Sequence, residues 1–221
     1  MRVGKTFTLS QAARLAGTTP QNVRRWLYGY DAPGHRMDPV FGSPPDNDGP
    51  PTISFLQLAE LIVVARYRRR SGRQIKLSRL RDAHQFARER LAIDWPFASG
   101  QIRFEGGHVM HEFESAYPDG RRHRIAIDQG GVYVLPLDFR DTLDLFDFDD
   151  RDTLALRFYP LGRDAAVVVD PEHAAGLPSF AGTNVRIDTV INRWRSGQTI
   201  AELEEDFEIP SSIIEVVLQA A

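Results

Sequence analysis

Gln21, Asn22, Arg24 and Arg25 fall within five consecutive positions of a 221-residue chain. Glutamine and asparagine can donate and accept together at the edge of a base, and arginine suits phosphate oxygens, so this cluster has the chemistry of a nucleic-acid contact. Tyr28 follows shortly after it, and Thr19 and Lys5 add a hydroxyl and an ammonium close by in the sequence. Val23, Trp26 and Leu27 recur at i, i+3 and i+4, which turns one helix face inward. Gln21, Asn22, Arg24, Arg25 and Tyr28 are thereby left outward or at its margin.

The surrounding residues predict how such a helix is held. Ser10 is a candidate N-cap for a preceding helix, with Ala12, Ala13 and Leu15 small or apolar for close packing. Gly17 supplies a permissive backbone at its end. Thr19 caps the second helix and Pro20 takes its first position, where a missing N–H costs nothing. Two short helices joined by a glycine turn, the second one basic, form the pattern of a helix-turn-helix. An ordinary helical hairpin shares that pattern, so the context has to decide.

Charge supplies part of that context. Residues 1–95 hold 16 Lys and Arg against 8 Asp and Glu, a net of +8, whereas residues 96–221 hold 11 against 22, a net of −11. A basic half suits nucleic acid, and an acidic half lying on phosphates would repel them, so the two ends are expected to face different partners. The chain has no cysteine, which removes disulfides, thiolate metal sites and cysteine nucleophiles together. It has neither a signal-peptide h-region nor an apolar run near the roughly 20 residues a bilayer needs. A cytoplasmic protein without a membrane partner is therefore expected.

Tyr30 to Pro51 is rich in Pro, Gly and Asp and is expected to be a long loop or irregular hairpin, a candidate wing. Ser54 and Gln57 have the spacing of a capping box. They open a helix through Leu56, Ala59, Leu61, Ile62, Val63 and Ala65 that ends in Arg66–Arg70. Those arginines fit either a solvated helix end or phosphate contact. Ser78 is expected to open a further helix, with Leu80, Ala83, Phe86, Ala87 and Leu91 on one face.

From Ile102 the apolar period falls from about 3.6 to about 2. Segments 102–104, 108–113, 122–127, 132–135, 153–158 and 166–169 alternate with turn clusters, predicting a small antiparallel sheet. Three helices follow, over 187–194, 199–206 and 210–219. The last stretch, 199–221, carries Glu202, Glu204, Glu205, Asp206, Glu208 and Glu215 and no Lys or Arg, which argues against a DNA-reading role there. The expected class is α+β: a winged helix-turn-helix domain (1–95), a small antiparallel β domain (96–166) and a C-terminal trihelical domain (167–221).

No catalytic pattern emerges. The aspartates at 138, 141, 144, 147, 149, 150 and 152 lack the glycine and closing glutamate of an EF-hand loop, and fit a solvated strand face and turn. His108 and His111 are three apart, which on a strand puts them on opposite faces. The metalloprotease, serine-hydrolase and phosphate-loop patterns are missing. The expectation is a protein that is not an enzyme and needs no cofactor or metal.

Two segments resemble known families. Residues 7–91, with Ala12–Leu15, Val23–Trp26, the long candidate wing and the later Arg-rich helix, resemble the MerR-type winged helix-turn-helix. Residues 167–221, with Val169-Asp-Pro171, Gly176-Leu-Pro178, Ala181-Gly-Thr183, Val185-Arg186, Ser196-Gly197 and Ile200–Leu203, are similar to a small domain of unknown function common in type II antitoxins. Asn184 departs from that pattern, where an arginine is usual. The combination resembles the larger VapB-type antitoxins, encoded beside a PIN-domain, VapC-type ribonuclease toxin. It implies a homodimer that binds its own operator DNA as a repressor, through Lys5, Thr19, Gln21, Asn22, Arg24, Arg25 and Tyr28, and that neutralises the toxin. Arg186, Arg193 and Arg195 are the basic groups available to enter the toxin's carboxylate cleft. Arg186 equally suits a brace for its local turn, and the other two a solvated helix end. The alternative is a stand-alone MerR-like transcriptional regulator whose β domain binds an effector; a third is a protein-interaction adaptor without DNA affinity.

Overall fold

Two separate interiors organise the chain. The computed structural model describes residues 7–41, 52–70, 76–105, 108–114, 122–126, 132–133 and 142–220. One unit is built from the described residues between 7 and 144 with Phe148–Ala155, the other from Leu145–Asp147 and those from 156 onward. Helices and short antiparallel strands are mixed along the sequence, an α+β composition.

The first unit begins with β1 (Phe7–Thr8), α1 (Leu9–Ala16), α2 (Pro20–Tyr28), β2 (Tyr30–Ala32) and β3 (His35–Met37). It continues through β4 (Thr52–Ile53), α3 (Phe55–Arg70) and α4 (Leu77–Arg90). β1 pairs with β4, aligning Phe7 with Ile53. The segment expected to be a loop or hairpin after α2 does form one, β2 with β3; positions 42–51 lie outside the described residues.

α3 is the centre of this unit. Phe55, Leu58, Leu61, Ile62 and Val64 are all fully buried although they point in different directions around the helix. A helix apolar all round must be wrapped by its neighbours, and α1 and the 3₁₀ turn Pro96–Ala98 pack on it. The expected capping box opens it: the Ser54 N–H donates to Gln57 Oε1 at 2.9 Å and the Gln57 N–H to Ser54 Oγ at 3.2 Å. Its polar exception is Glu60, whose Oε1 lies 3.1 Å from His84 Nε2 on α4 and accepts the Phe97 N–H at 3.2 Å. Both side chains are buried, and burial of such groups is tolerated because they satisfy one another.

Two helix starts differ from expectation. Ser10 lies inside α1, and the cap is Thr8, whose Oγ1 accepts the Gln11 N–H at 3.2 Å while its own N–H donates to Gln11 Oε1 at 2.9 Å. The side chain three residues on decides this: Thr8 has Gln11 to reciprocate, Ser10 only Ala13. Ser78 likewise lies inside α4, which starts at Leu77 after Lys76 with no side-chain cap. On α4, Leu80, Ala83 and Ala87 are buried as expected, together with His84.

β5 (Ile102–Glu105), β6 (His108–Glu114), β7 (Arg122–Ala126) and β8 (Val132–Tyr133) form an antiparallel meander in sequence order. Phe104 lies opposite Val109, Glu112 opposite Arg124 and Ile125 opposite Tyr133. The last two expected strands do not join this sheet. β10 (Ala155–Phe158) pairs instead with β9 (Phe146–Phe148), where phenylalanine alternates with aspartate inside the acidic run. β11 (Val167–Val168) pairs with β12 (Ser179–Phe180). Among the other acids of the run, Asp149 and Asp152 accept backbone N–H groups two residues on, at 2.8 and 3.0 Å, making local turns.

The second unit ends in α5 (Ile187–Arg195), α6 (Ile200–Phe207) and α7 (Ser211–Gln219). Val190, Leu203, Ile214 and Val217 from this trio, with Ile209 between α6 and α7, bury against Val167 and Phe180. Thr199 caps α6 in a box with Glu202, whose Oε2 accepts the Thr199 N–H at 2.8 Å. Asp147 accepts from Tyr159 Oη at 2.8 Å and Arg163 Nη1 at 2.8 Å. Asp170 is a second hub, taking Arg157 Nε at 2.8 Å and the Glu172 N–H at 2.8 Å, with His173 Nδ1 3.0 Å away. Among the described residues, no helix is long and apolar enough to cross a membrane and no acid or histidine cluster could hold a metal ion.

Candidate nucleic-acid interface

α2 carries the residues singled out for base and phosphate contact. Thr19 accepts the Asn22 N–H at 3.2 Å and Pro20 follows as the first helical residue, so the helix starts as its sequence dictates. Val23, Trp26 and Leu27 are buried, which fixes the helix by one face. Gln21, Arg24 and Arg25 are exposed on the rest of its circumference. Asn22 is half-buried, and its amide donates to Thr18 Oγ1 at 3.2 Å, so part of its hydrogen-bonding capacity serves the turn.

The Arg25 guanidinium lies over the Tyr30 ring, 5.0 Å from its centroid, which draws the side chain toward the β2–β3 hairpin. Tyr28 differs from its neighbours on α2. Its hydroxyl is buried without a hydrogen-bond partner, and burial pushes the phenol up despite the opposing pull of the Arg24 charge. Lys5 lies outside the described residues.

The turn between α1 and α2 is clamped from a distance. Gly17 closes α1 in the left-handed conformation at φ 63°, as its position in the sequence suggests. Arg69, near the end of α3, donates from Nη1 to the Gly17 carbonyl at 3.1 Å and from Nη2 to the Ala16 carbonyl at 3.2 Å. A cation on the last carbonyls of a helix meets the negative end of its dipole. The arginine run was legible as a helix end, but its service to a different helix was not, since 52 positions separate the partners. Gly29 ends α2 at φ 75°, where a Cβ would strike the Met37 carbonyl oxygen, so α2 and the hairpin approach closely only because residue 29 has no side chain.

The hairpin is tied down from two sides. Arg36 Nη2 donates to the Tyr28 carbonyl at 3.4 Å. Arg81 of α4 donates from Nε to the Pro39 carbonyl at 2.9 Å and from Nη2 to the Asp38 carbonyl at 2.6 Å. The resulting surface has exposed Gln21, Arg24 and Arg25 on a helix whose preceding turn and C-terminal end are held by arginine–carbonyl bonds.

In the second unit the three arginines have unequal surroundings. Arg186 forms a two-point ion pair with Asp188, with Nε 3.0 Å from Oδ1. Arg193 pairs with Asp206 at 3.0 Å and stacks on the Phe207 ring, 5.0 Å from its centroid, which ties α5 to α6. Arg195 is exposed. Asn184, the departure from the expected pattern, accepts the Ala174 N–H at 3.4 Å. The exposed side of α6 bears Glu202, Glu204, Glu205 and Asp206, and Trp194 and Val216 are exposed large apolar side chains on α5 and α7.

Comparison with known proteins gives the following likenesses. The model of a family described as "Protein of unknown function (DUF433)" matches residues 167–219, a quarter of the chain. A Mycobacterium tuberculosis protein named "Putative antitoxin VapB45" is 23% identical over 233 residues, covering 97% of this chain and 92% of that protein. The crystal structure of Rv2018 from Mycobacterium tuberculosis superposes with a TM-score of 0.65 at 20% identity, covering 99% of this chain and 97% of the other. The last of these relates the fold over nearly the whole length.

Proposed function

We propose that this protein is a DNA-binding antitoxin. In this reading α1 and α2 are a helix-turn-helix with the β2–β3 hairpin as its wing, and a homodimer holds operator DNA and represses its own transcription. Gln21 and Asn22 meet base edges, Arg24 and Arg25 meet phosphates, and Thr19, Tyr28 and Lys5 border the contact. The C-terminal unit engages a PIN-domain ribonuclease toxin. The division of labour follows residues 1–95 for DNA, 96–166 for an intervening β region and 167–221 for the toxin.

The observation that carries the DNA half is the geometry of α2, anchored by Val23, Trp26 and Leu27 while Gln21, Arg24 and Arg25 stay exposed in the basic part of the chain. The toxin half is supported by the relative named as an antitoxin, which matches along nearly the full length. The acidic face of α6 suits the basic rim of an RNA-cutting partner, where opposite charge speeds encounter and selects against wrong partners. Because Arg186 and Arg193 already have acidic partners, Arg195 is the arginine of the three best suited to enter a carboxylate cleft.

Anisotropy titrations with the upstream promoter region over a salt series test the DNA half. Arg24→Ala with Arg25→Ala should flatten the log–log salt slope by about one for each phosphate no longer neutralised, at unchanged fold. Unchanged affinity and slope would remove α2 from the interface. The toxin half is tested by co-expression with the product of the adjacent gene: a chain ending near residue 165 should keep DNA affinity and fail to co-purify with that product or silence its ribonuclease activity.

A further inference from the structure

A recess of about 770 Å³ opens beside the C-terminal end of α2, walled by Tyr28, by Arg36 and the backbone after β3, and by Arg81, His84 and Arg88 of α4. It shares His84, Arg88 and Asp94 with a second recess of about 320 Å³, whose walls include Leu27, Phe41 and Trp95. Together they have the size of a small-molecule cleft, with a charged lobe and an aromatic lobe.

The charged lobe is preorganised. Arg81 and Arg88 are seven residues apart on α4, two turns on one face, with His84 between them. Two backbone carbonyls hold the Arg81 guanidinium, which fixes its direction without cancelling its charge. His84 is fixed by the buried Glu60 at 3.1 Å. The aromatic lobe is equally set: Phe41 meets His84 and Phe97 edge-on, with ring centroids 5.9 and 6.1 Å apart. Asp38, Glu89 and Asp94 border the same space, so three arginines face three acids. Glu60, engaged with His84, adds a fourth acid in the second recess, so the acids weigh against a dianion such as a phosphate monoester, while the Arg81 and Arg88 guanidiniums offer a single carboxylate a local set of donors.

We infer that this recess binds a small organic monocarboxylate with a flat apolar body. The carboxylate meets the Arg81 and Arg88 guanidiniums, where charge-assisted bonds are strongest, and the body fills the lobe walled by Phe41 and Trp95. Such a ligand touches Tyr28 at the end of α2, so its site adjoins the helix with the exposed face rather than the β meander.

Calorimetry on the full chain tests this with indole-3-acetate and tryptamine, which share a ring and differ in the sign of their charge. Indole-3-acetate is expected to bind saturably and tryptamine not. Arg88→Gln, at an exposed position, should leave the circular dichroism spectrum unchanged and weaken indole-3-acetate about tenfold. Amide shifts on titration should centre on His84 and Trp95. Absence of saturable binding up to millimolar indole-3-acetate, equal binding of tryptamine, an unaltered affinity in Arg88→Gln, or shifts centred elsewhere would each overturn the inference. None of these readouts involves DNA or a toxin, so the proposed function stands or falls separately.

Discussion

The Arg69 guanidinium lies directly over Gly17, with Nη1 3.1 Å from the Gly17 carbonyl oxygen and Nη2 3.2 Å from that of Ala16. A Cβ on residue 17 would occupy the space the guanidinium takes. Gly17→Ala therefore carries two penalties, the left-handed backbone at roughly 1–2 kcal/mol and displacement of Arg69. Arg69→Ala alone should cost about 1 kcal/mol. Denaturant midpoints of the two single variants and the double variant will show the double less destabilised than the sum, because the arginine's bonds can be removed only once.

His84→Leu leaves the buried Glu60 carboxylate with the Phe97 N–H but without its imidazole. Removing one partner of a buried hydrogen-bonded pair typically costs roughly 1–3 kcal/mol. The expected outcome is a large drop in thermal midpoint, partly recovered when Glu60→Leu is added, since the second change removes the stranded polar group. A small effect in the single variant would show that the pair does not brace α3 against α4.

Burial pushes the Asp170 carboxyl up, yet the Glu172 N–H, Arg157 and His173 outweigh it and hold the group below its usual value of 3.8. Asp147 is held low in the same way, burial being outweighed by Tyr159, Arg163 and Arg157. A carboxyl that binds protons less readily when folded adds stability that is fully present above the unfolded value and is lost as pH falls through the folded one. Unfolding monitored against pH should show the second unit holding its stability down to the ordinary carboxylate range and losing it below. Asp170→Asn should lower stability at neutral pH by roughly 1–3 kcal/mol and flatten that acid limb.

Glu208 ends α6 in the left-handed conformation, at φ 54°, a place where glycine is the usual residue. Glu208→Gly is expected to stabilise the unit by up to about 1 kcal/mol, the reverse of what a glycine does inside a helix. A lowered midpoint would mean that the glutamate side chain makes a contribution exceeding its backbone strain.

Where the sequence was legible, the information was local. Thr19 and Pro20, Gly17, and the Ser54–Gln57 box each settle a helix boundary from residues within one turn, and the structure follows them. The cap expected at Ser10 falls on Thr8, two residues earlier, and the deciding signal was Gln11, three residues after Thr8. Long-range relations were not legible. His84 sits on an apolar helix face because Glu60 is there to meet it, 24 positions away, and no periodicity announces that. The fate of the last two expected strands had the same cause: a period of two gives a strand its faces but not its neighbour. Candidate contact residues fared by the same rule, with Gln21, Arg24 and Arg25 outward because Val23, Trp26 and Leu27 are inward, whereas Tyr28, expected outward or at the margin, has its hydroxyl buried.

The residues that close the core of the second unit, from Val167 to Leu218, lie inside a single stretch of sequence that almost coincides with the segment matched by the family model, 167–219. The helical core of this segment is thus assembled from one continuous stretch, with Arg157 bracing Asp170 from outside it, whereas the wrapped helix α3 draws its burial from elements on both sides of it in the sequence.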